Sequence, residues 1–171
     1  MYRNNNNNNR ITRRPTDALS SMPRAVASIN GGSDFSEING NVSFFDTENG
    51  VFVIAEIYNL PTGPQTCESS VFGFHIHEGE GCYGNANDEF AQTRAHYNPT
   101  GVAHPYHAGD MPPLLCSDGY AFLAFITNRF TIDEIIGKTV VIHSMRDDFT
   151  TQPSGDSGEK IACGVIGRVR R

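Results

Sequence analysis

The 171-residue sequence contains no tryptophan, and Phe, Val, Ile and Gly are well represented instead, which leans towards β structure. No run is long and apolar enough to cross a bilayer as a helix, so a helical membrane span is excluded. The N-terminal stretch shows no apolar segment of a secretory signal, so the expected location is cytoplasmic, host cytoplasm or virion if the source is viral. Arg10, Arg13 and Arg14 have the look of a transit peptide, but no amphipathic apolar face accompanies them. There is no CxxC pair: Cys67, Cys82, Cys116 and Cys163 are widely spaced, which excludes a zinc knuckle and leaves two disulfides or four free thiols equally open. A positive balance is also missing, with 13 basic against 19 acidic residues and a formal net charge of −6. General nucleic-acid binding needs clustered positive charge and is not expected. Residues 1–24 hold five Arg and one Asp, which leaves eight basic against eighteen acidic residues, or −10, for the rest.

The length suits one domain with a single buried core. Residues 4–9 are all Asn, and the surrounding tail is Arg-, Pro-, Thr- and Ser-rich. Such a segment cannot bury enough apolar surface to offset its ordering entropy, so residues 1–22 are expected to be a disordered tail and residues 23–171 the folded domain. From Arg24 the text changes to short alternating runs broken by turn signals. Strands are expected over 25–29, 38–45, 51–58, 71–77, 114–116, 120–127, 139–143 and 160–169, with a helical turn over 131–136. About eight short strands read as an all-β, antiparallel Greek-key barrel or sandwich. Two long polar loops, 78–110 and 144–159, exceed the usual connection length and point to function.

All six histidines fall between positions 75 and 143. His75 and His77 stand at i and i+2 on an expected strand, so both rings point to one face while Phe74 and Ile76 point to the other. Such a pair can present two ligands to one metal, though by itself it also fits two exposed histidines on a sheet. His104, His107 and Asp110 supply three donors within seven residues, beside His96, and nitrogens with one carboxylate are a usual tetrahedral zinc set. His143 ends a strand and decides little alone. Two four-coordinate ions sharing one bridging ring need seven side chains, and six His plus Asp110 make seven.

Gly73-Phe74-His75-Ile76-His77-Glu78, His96-Tyr97-Asn98-Pro99, His107-Ala108-Gly109-Asp110, Val141-Ile142-His143 and Ala162-Cys163-Gly164-Val165-Ile166-Gly167 follow one another in the order seen in copper/zinc superoxide dismutases. The chain resembles that family from about Ala25 to Val169, and its compact loop is more similar to bacterial-type members than to animal ones. The resemblance implies an eight-stranded Greek-key β-barrel and one copper and one zinc per subunit. It implies copper on His75, His77, His96 and His143, and zinc on His96, His104, His107 and Asp110, with His96 as the bridge and a proton carrier. Asp147 matches the carboxylate that links a copper histidine to a zinc histidine, and Cys82 and Cys163 match the intrasubunit disulfide.

The family usually places an Arg where this chain has Lys160, so the positive charge for superoxide is expected from Lys160, with Arg146 as a further candidate. Cys67 and Cys116 are outside the usual pattern; the resemblance implies that they fall in loops at one end of the barrel, and a second disulfide between them is expected. Superoxide is the implied substrate and a homodimer the implied assembly. The alternative is a non-catalytic metal-binding or coat/virion structural module on the same fold.

Overall fold

The computed structural model describes residues 17, 20–62 and 70–170. Most of the expected tail, and Cys67, therefore lie outside the described residues. Nine strands form one antiparallel sheet among them: β1 (Ala25–Gly31), β2 (Asn39–Thr47), β3 (Gly50–Tyr58), β4 (Val71–Phe72), β5 (Phe74–His77), β6 (Leu114–Ser117), β7 (Tyr120–Thr127), β8 (Thr139–His143) and β9 (Lys160–Arg168). Their order is β4-β6-β7-β3-β2-β1-β9-β8-β5. The two outermost strands, β4 and β5, are consecutive in the chain, with only Gly73 between them. The sheet therefore curls until its edges nearly meet, as an almost closed barrel.

The ninth strand arises because the expected strand 71–77 is split. Val71 and Phe72 pair with β6, whereas Phe74 to His77 pair with β8. At the changeover Gly73 donates its N–H to Met145 O (2.7 Å) and accepts from His143 N (2.9 Å). A β-carbon at Gly73 would press on the side chains of Ser157 and His143, so the crossing favours glycine.

The strands form where the sequence alternates. β1 buries Ala25, Ala27 and Ile29 and turns Val26 and Ser28 outward. Facing residues of β2 and β3, including Val42, Phe44, Val53 and Ile57, fill the barrel with Phe72, Phe74, Ile76 and Ile142. Phe44, Phe72 and Phe74 are completely buried, each stabilising the fold by about 2 kcal/mol. The helical turn is α1 (Ile132–Ile135). Its first turn is tied by Glu134, whose carboxylate accepts the Thr131 N–H at 2.6 Å. Asp133 receives Arg24 from the start of β1 and Arg168 from the end of β9, both at 2.8 Å. No helix among the described residues is long and apolar enough to cross a membrane.

Candidate metal centre

Strand alternation sets His75 and His77 on one face of β5 and Phe74 and Ile76 on the other, and both faces are buried. The outer edge of β5 is covered by the long loop that follows it. Tyr97 N donates to Ile76 O and Ile76 N to Gly109 O, each at 2.8 Å. Isolated bridges set His77 opposite His96 and His75 opposite Asp110. Backbone pairing thus carries two loop residues to the strand histidines, and the exposed sheet edge is removed at the same time. His143 arrives from the end of β8, at a β-bulge where it pairs with Lys160 of β9. The rings of His75 and His96 lie 4.0 Å apart, and those of His75 and His143 4.9 Å apart.

The hydrogen bonds of His75, His77, His104 and His143 set which nitrogen of those four rings carries its proton. A carbonyl can only accept, so His77 Nδ1 donates to Arg94 O at 2.8 Å and His143 Nδ1 to Gly158 O at 3.3 Å. Their lone pairs are then on Nε2, and these two atoms face each other at 3.1 Å. His75 Nε2 donates to Asp147 Oδ2 at 2.7 Å, which leaves its lone pair on Nδ1. Buried His75 Nδ1 and His96 Nε2 have no hydrogen-bond partner. Four imidazole donors therefore converge, each within 4.8 Å of the others. Lone pairs pointed together in a buried pocket are repulsive unless a cation lies between them, and imidazole is a favoured ligand for copper.

His96, His104, His107 and Asp110 form a second group of the same size. His96 Nδ1 lies 2.7 Å from Asp110 Oδ1. His104 Nδ1 and His107 Nδ1 approach Asp110 Oδ2 at 3.0 and 3.3 Å but are buried without a hydrogen bond. His104 Nε2 donates to Asp147 Oδ1 at 2.9 Å, so its Nδ1 also presents a lone pair. Three nitrogens and one carboxylate suit a closed zinc site. His96 belongs to both groups, one nitrogen facing each, and Asp147 orients one ring from each group with its two oxygens.

Burial pushes His75 and His77 well below the ordinary value of 6.5, and burial together with the nearby His96 brings His143 down to about 4. Burial alone would raise the Asp110 carboxyl, but the hydrogen bond from His96 and the surrounding imidazoles outweigh it and lower it. His75, His77, His143 and Asp110 are thus held in their metal-binding forms. A sign follows for the metal-free protein. Between pH 6.5 and about 4 the unfolded chain binds protons that the folded chain refuses, so stability present above pH 6.5 is lost as the pH falls. His143 alone should contribute a loss on the order of 3 kcal/mol across that window. Urea melts of the metal-free protein should show the midpoint falling through this range; a flat profile would refute the burial argument.

Other supports carry no sequence signal. Arg129 donates from Nη1 to Pro105 O (3.0 Å), His107 O (3.4 Å) and Asp110 O (3.1 Å), gathering the loop 104–110 from just past the end of β7. Gln152 grips the backbone of His104 from both sides, accepting its N–H at 3.0 Å and donating to its carbonyl at 2.7 Å. Sequence reasoning missed both, because a lone Arg or Gln in a polar loop reads as solvated surface.

Cys82 and Cys163 form a disulfide with Cα atoms 5.6 Å apart. Cys116 is a half-buried free thiol that lies on β6 rather than in the expected loop, and its expected partner Cys67 lies outside the described residues. Lys160 sits across from His143, with its ammonium 2.6 Å from Asp88 Oδ2. Arg146 is exposed and lines a small pocket with Met145, Asp148 and Asp156.

The family model for copper/zinc superoxide dismutase (SODC) matches residues 38–166. The chain is 34% identical over 135 residues to a Cu-Zn superoxide dismutase of Legionella pneumophila, covering 74% of this chain and 76% of that one. It is 30% identical to Cu-Zn superoxide dismutase 2 of Aquifex aeolicus, covering 76% and 80%. Among solved structures, the Cu/Zn superoxide dismutase of Brucella abortus superposes with a TM-score of 0.68 at 20% identity, over 82% of this chain and 98% of that one. A double mutant of a SOD-like protein from Bacillus subtilis gives 0.66 at 24% identity, over 82% and 95%. The two structural likenesses speak for the barrel alone, whereas the family match spans every donor-bearing segment and the two relatives cover about three quarters of the chain: the chain belongs to the copper/zinc superoxide dismutase family.

Proposed function

We propose that the chain converts superoxide to dioxygen and hydrogen peroxide, with copper held by His75, His77, His96 and His143 and zinc by His96, His104, His107 and Asp110. The observation that carries this reading is His96, a buried ring common to two donor groups, with an unpartnered Nε2 on one side and Asp110 on the other. Copper would supply one-electron exchange, oxidising one superoxide and reducing the next, while zinc, which has no redox chemistry, would hold the loop and polarise the shared ring.

The protein's own residues do the rest. His75, His77 and His143 keep a nitrogen-only environment whose protons are directed outward by Asp147, Arg94 O and Gly158 O. His96 Nε2, buried and without a partner, is the atom that would hold one of the two protons hydrogen peroxide needs, the second coming from water. The strand residues Phe74, Ile76 and Ile142, buried in the barrel on the opposite face of the strands, exclude water behind the donors.

Protein loaded with copper and zinc should accelerate superoxide decay in a stopped-flow assay, and His96→Ala should lower the rate by at least about a hundredfold. A wild-type protein that binds both ions yet leaves superoxide decay unchanged would be a metal-binding module instead.

A further inference from the structure

The loop between the disulfide and the bridging histidine carries an acidic residue aimed at the cation expected to attract substrate. Lys160 Nζ donates to Asp88 Oδ2 at 2.6 Å and to Phe90 O at 3.2 Å, so two of its three N–H donors are committed. Asp88 is itself fixed. Its Oδ1 accepts the Phe90 N–H at 2.9 Å, its N–H reaches Asn85 Oδ1 at 3.2 Å, and its carbonyl accepts Asn85 N at 2.9 Å. The Cys82–Cys163 disulfide anchors both ends of the arrangement, since Cys163 lies on the same strand as Lys160 and Cys82 opens the loop. The Lys160 side chain is 17% exposed and that of Asp88 42%, so the pair stands at the rim rather than in bulk water. The pair borders an open cavity of about 690 Å³ lined also by Ser33, Asn85, Glu89 and Glu159. Glu89 is occupied by the Ser33 N–H and hydroxyl (2.8 and 3.1 Å), which leaves Asp88 as the carboxylate on the ammonium.

We propose that Asp88 is a positioning residue that ties down the Lys160 ammonium and thereby weakens the pull of the copper side of the site on small anions. This rests on the dismutase reading above and adds a residue to it. An ammonium paired at hydrogen-bond distance projects little net charge into the approach path, and a body of net negative charge leaves few other sources of attraction. Proximity of Lys160 to the donors is given by its pairing with His143 across β8 and β9. Asp88 therefore sets how strongly, and with what salt dependence, anions reach the metal.

The test is Asp88→Asn, which keeps an Oδ1 acceptor for the Phe90 N–H and removes the charge. In protein loaded with copper and zinc, kcat/KM for superoxide at low ionic strength should rise about threefold and fall more steeply with added salt. Azide titration followed by the copper absorption band reads anion affinity without turnover, and azide should bind several-fold more tightly. The same substitution is then made in a Lys160→Met background, where the gain should shrink towards the small effect of removing one remote charge. Equal gains in both backgrounds would mean that Asp88 acts by its own charge alone, and the pinning role would be wrong. Unchanged azide affinity and an unchanged salt slope in Asp88→Asn would likewise overturn it. Thermal melts of the variants confirm that the fold is kept. Absent superoxide turnover in the wild type would remove the dismutase reading, while the azide comparison would still decide the role of Asp88.

Discussion

Asp147→Ala should weaken both metal sites together, by about ten- to a hundredfold each. Asp147 is buried and uses Oδ2 on His75 and Oδ1 on His104, one ring from each donor group, while Phe149 N also donates to Oδ1 at 2.7 Å. Without the carboxylate, each of the two buried Nε2–H donors loses its acceptor, at a cost of about 1–3 kcal/mol apiece. Each ring also becomes able to move its proton to Nδ1, the atom that should face the metal. Asp147→Asn is no conservative control. Its single oxygen can serve one ring, but its amide donates towards the other Nε2 and forces that ring's proton to the metal side. Chelator competition with zinc and with copper measures both constants, and an effect confined to one metal would show that the two groups are not coupled through this residue. A β-carbon built on Gly155 would collide with Asp147 Oδ1 and His104 Nε2, so the loop that delivers the carboxylate is held at closest approach there, and its φ of +70° suits glycine.

Reduction of the Cys82–Cys163 bridge, or Cys163→Ser, should destabilise the protein by about 4–5 kcal/mol, since the cross-link closes a long loop in the unfolded chain. The partners are 81 residues apart in sequence. For a chain of this size that amounts to a fall in melting temperature of about 10–15 °C. The local consequence is as important. Cys82, Cys163, Phe90 and Val141 pack as one cluster, and Phe90 also supplies the carbonyl that Lys160 reaches. Loss of the bridge should therefore loosen the segment leading to His96 as well as the barrel. Calorimetry on oxidised and reduced protein, with alkylation and mass mapping of the thiols, tests this; coincident melting curves would show that the bridge adds nothing to stability.

Much of the barrel is legible in the sequence. Strands expected over 120–127 and 139–143 occur as β7 and β8 with the same bounds, because their ends are marked by turn residues such as Asp118-Gly119 and Gly137. The strand expected over 71–77 differs, since nothing in Val71-Phe72-Gly73-Phe74 reveals that its two halves pair with opposite edges of the sheet. Periodicity reports which face a residue takes, and is silent on which neighbour completes the ladder. Arg129 and Gln152 were illegible for a related reason. Their acceptors and donors are backbone groups, and backbone groups leave no trace in residue identity.

By itself the sequence determined the class of the fold, the inventory of donors and the family, since alternation, ligand chemistry and motif order are local properties. The tertiary structure alone decided what those donors do to one another: which nitrogen of His75, His77, His104 and His143 keeps its proton, that Asp147 serves one ring from each group, and that Lys160 spends its charge on Asp88. Such facts depend on distances of a few ångströms between residues up to 72 positions apart in the chain, and a lone pair acquires a direction only when a fold supplies the partner on the other side of the ring.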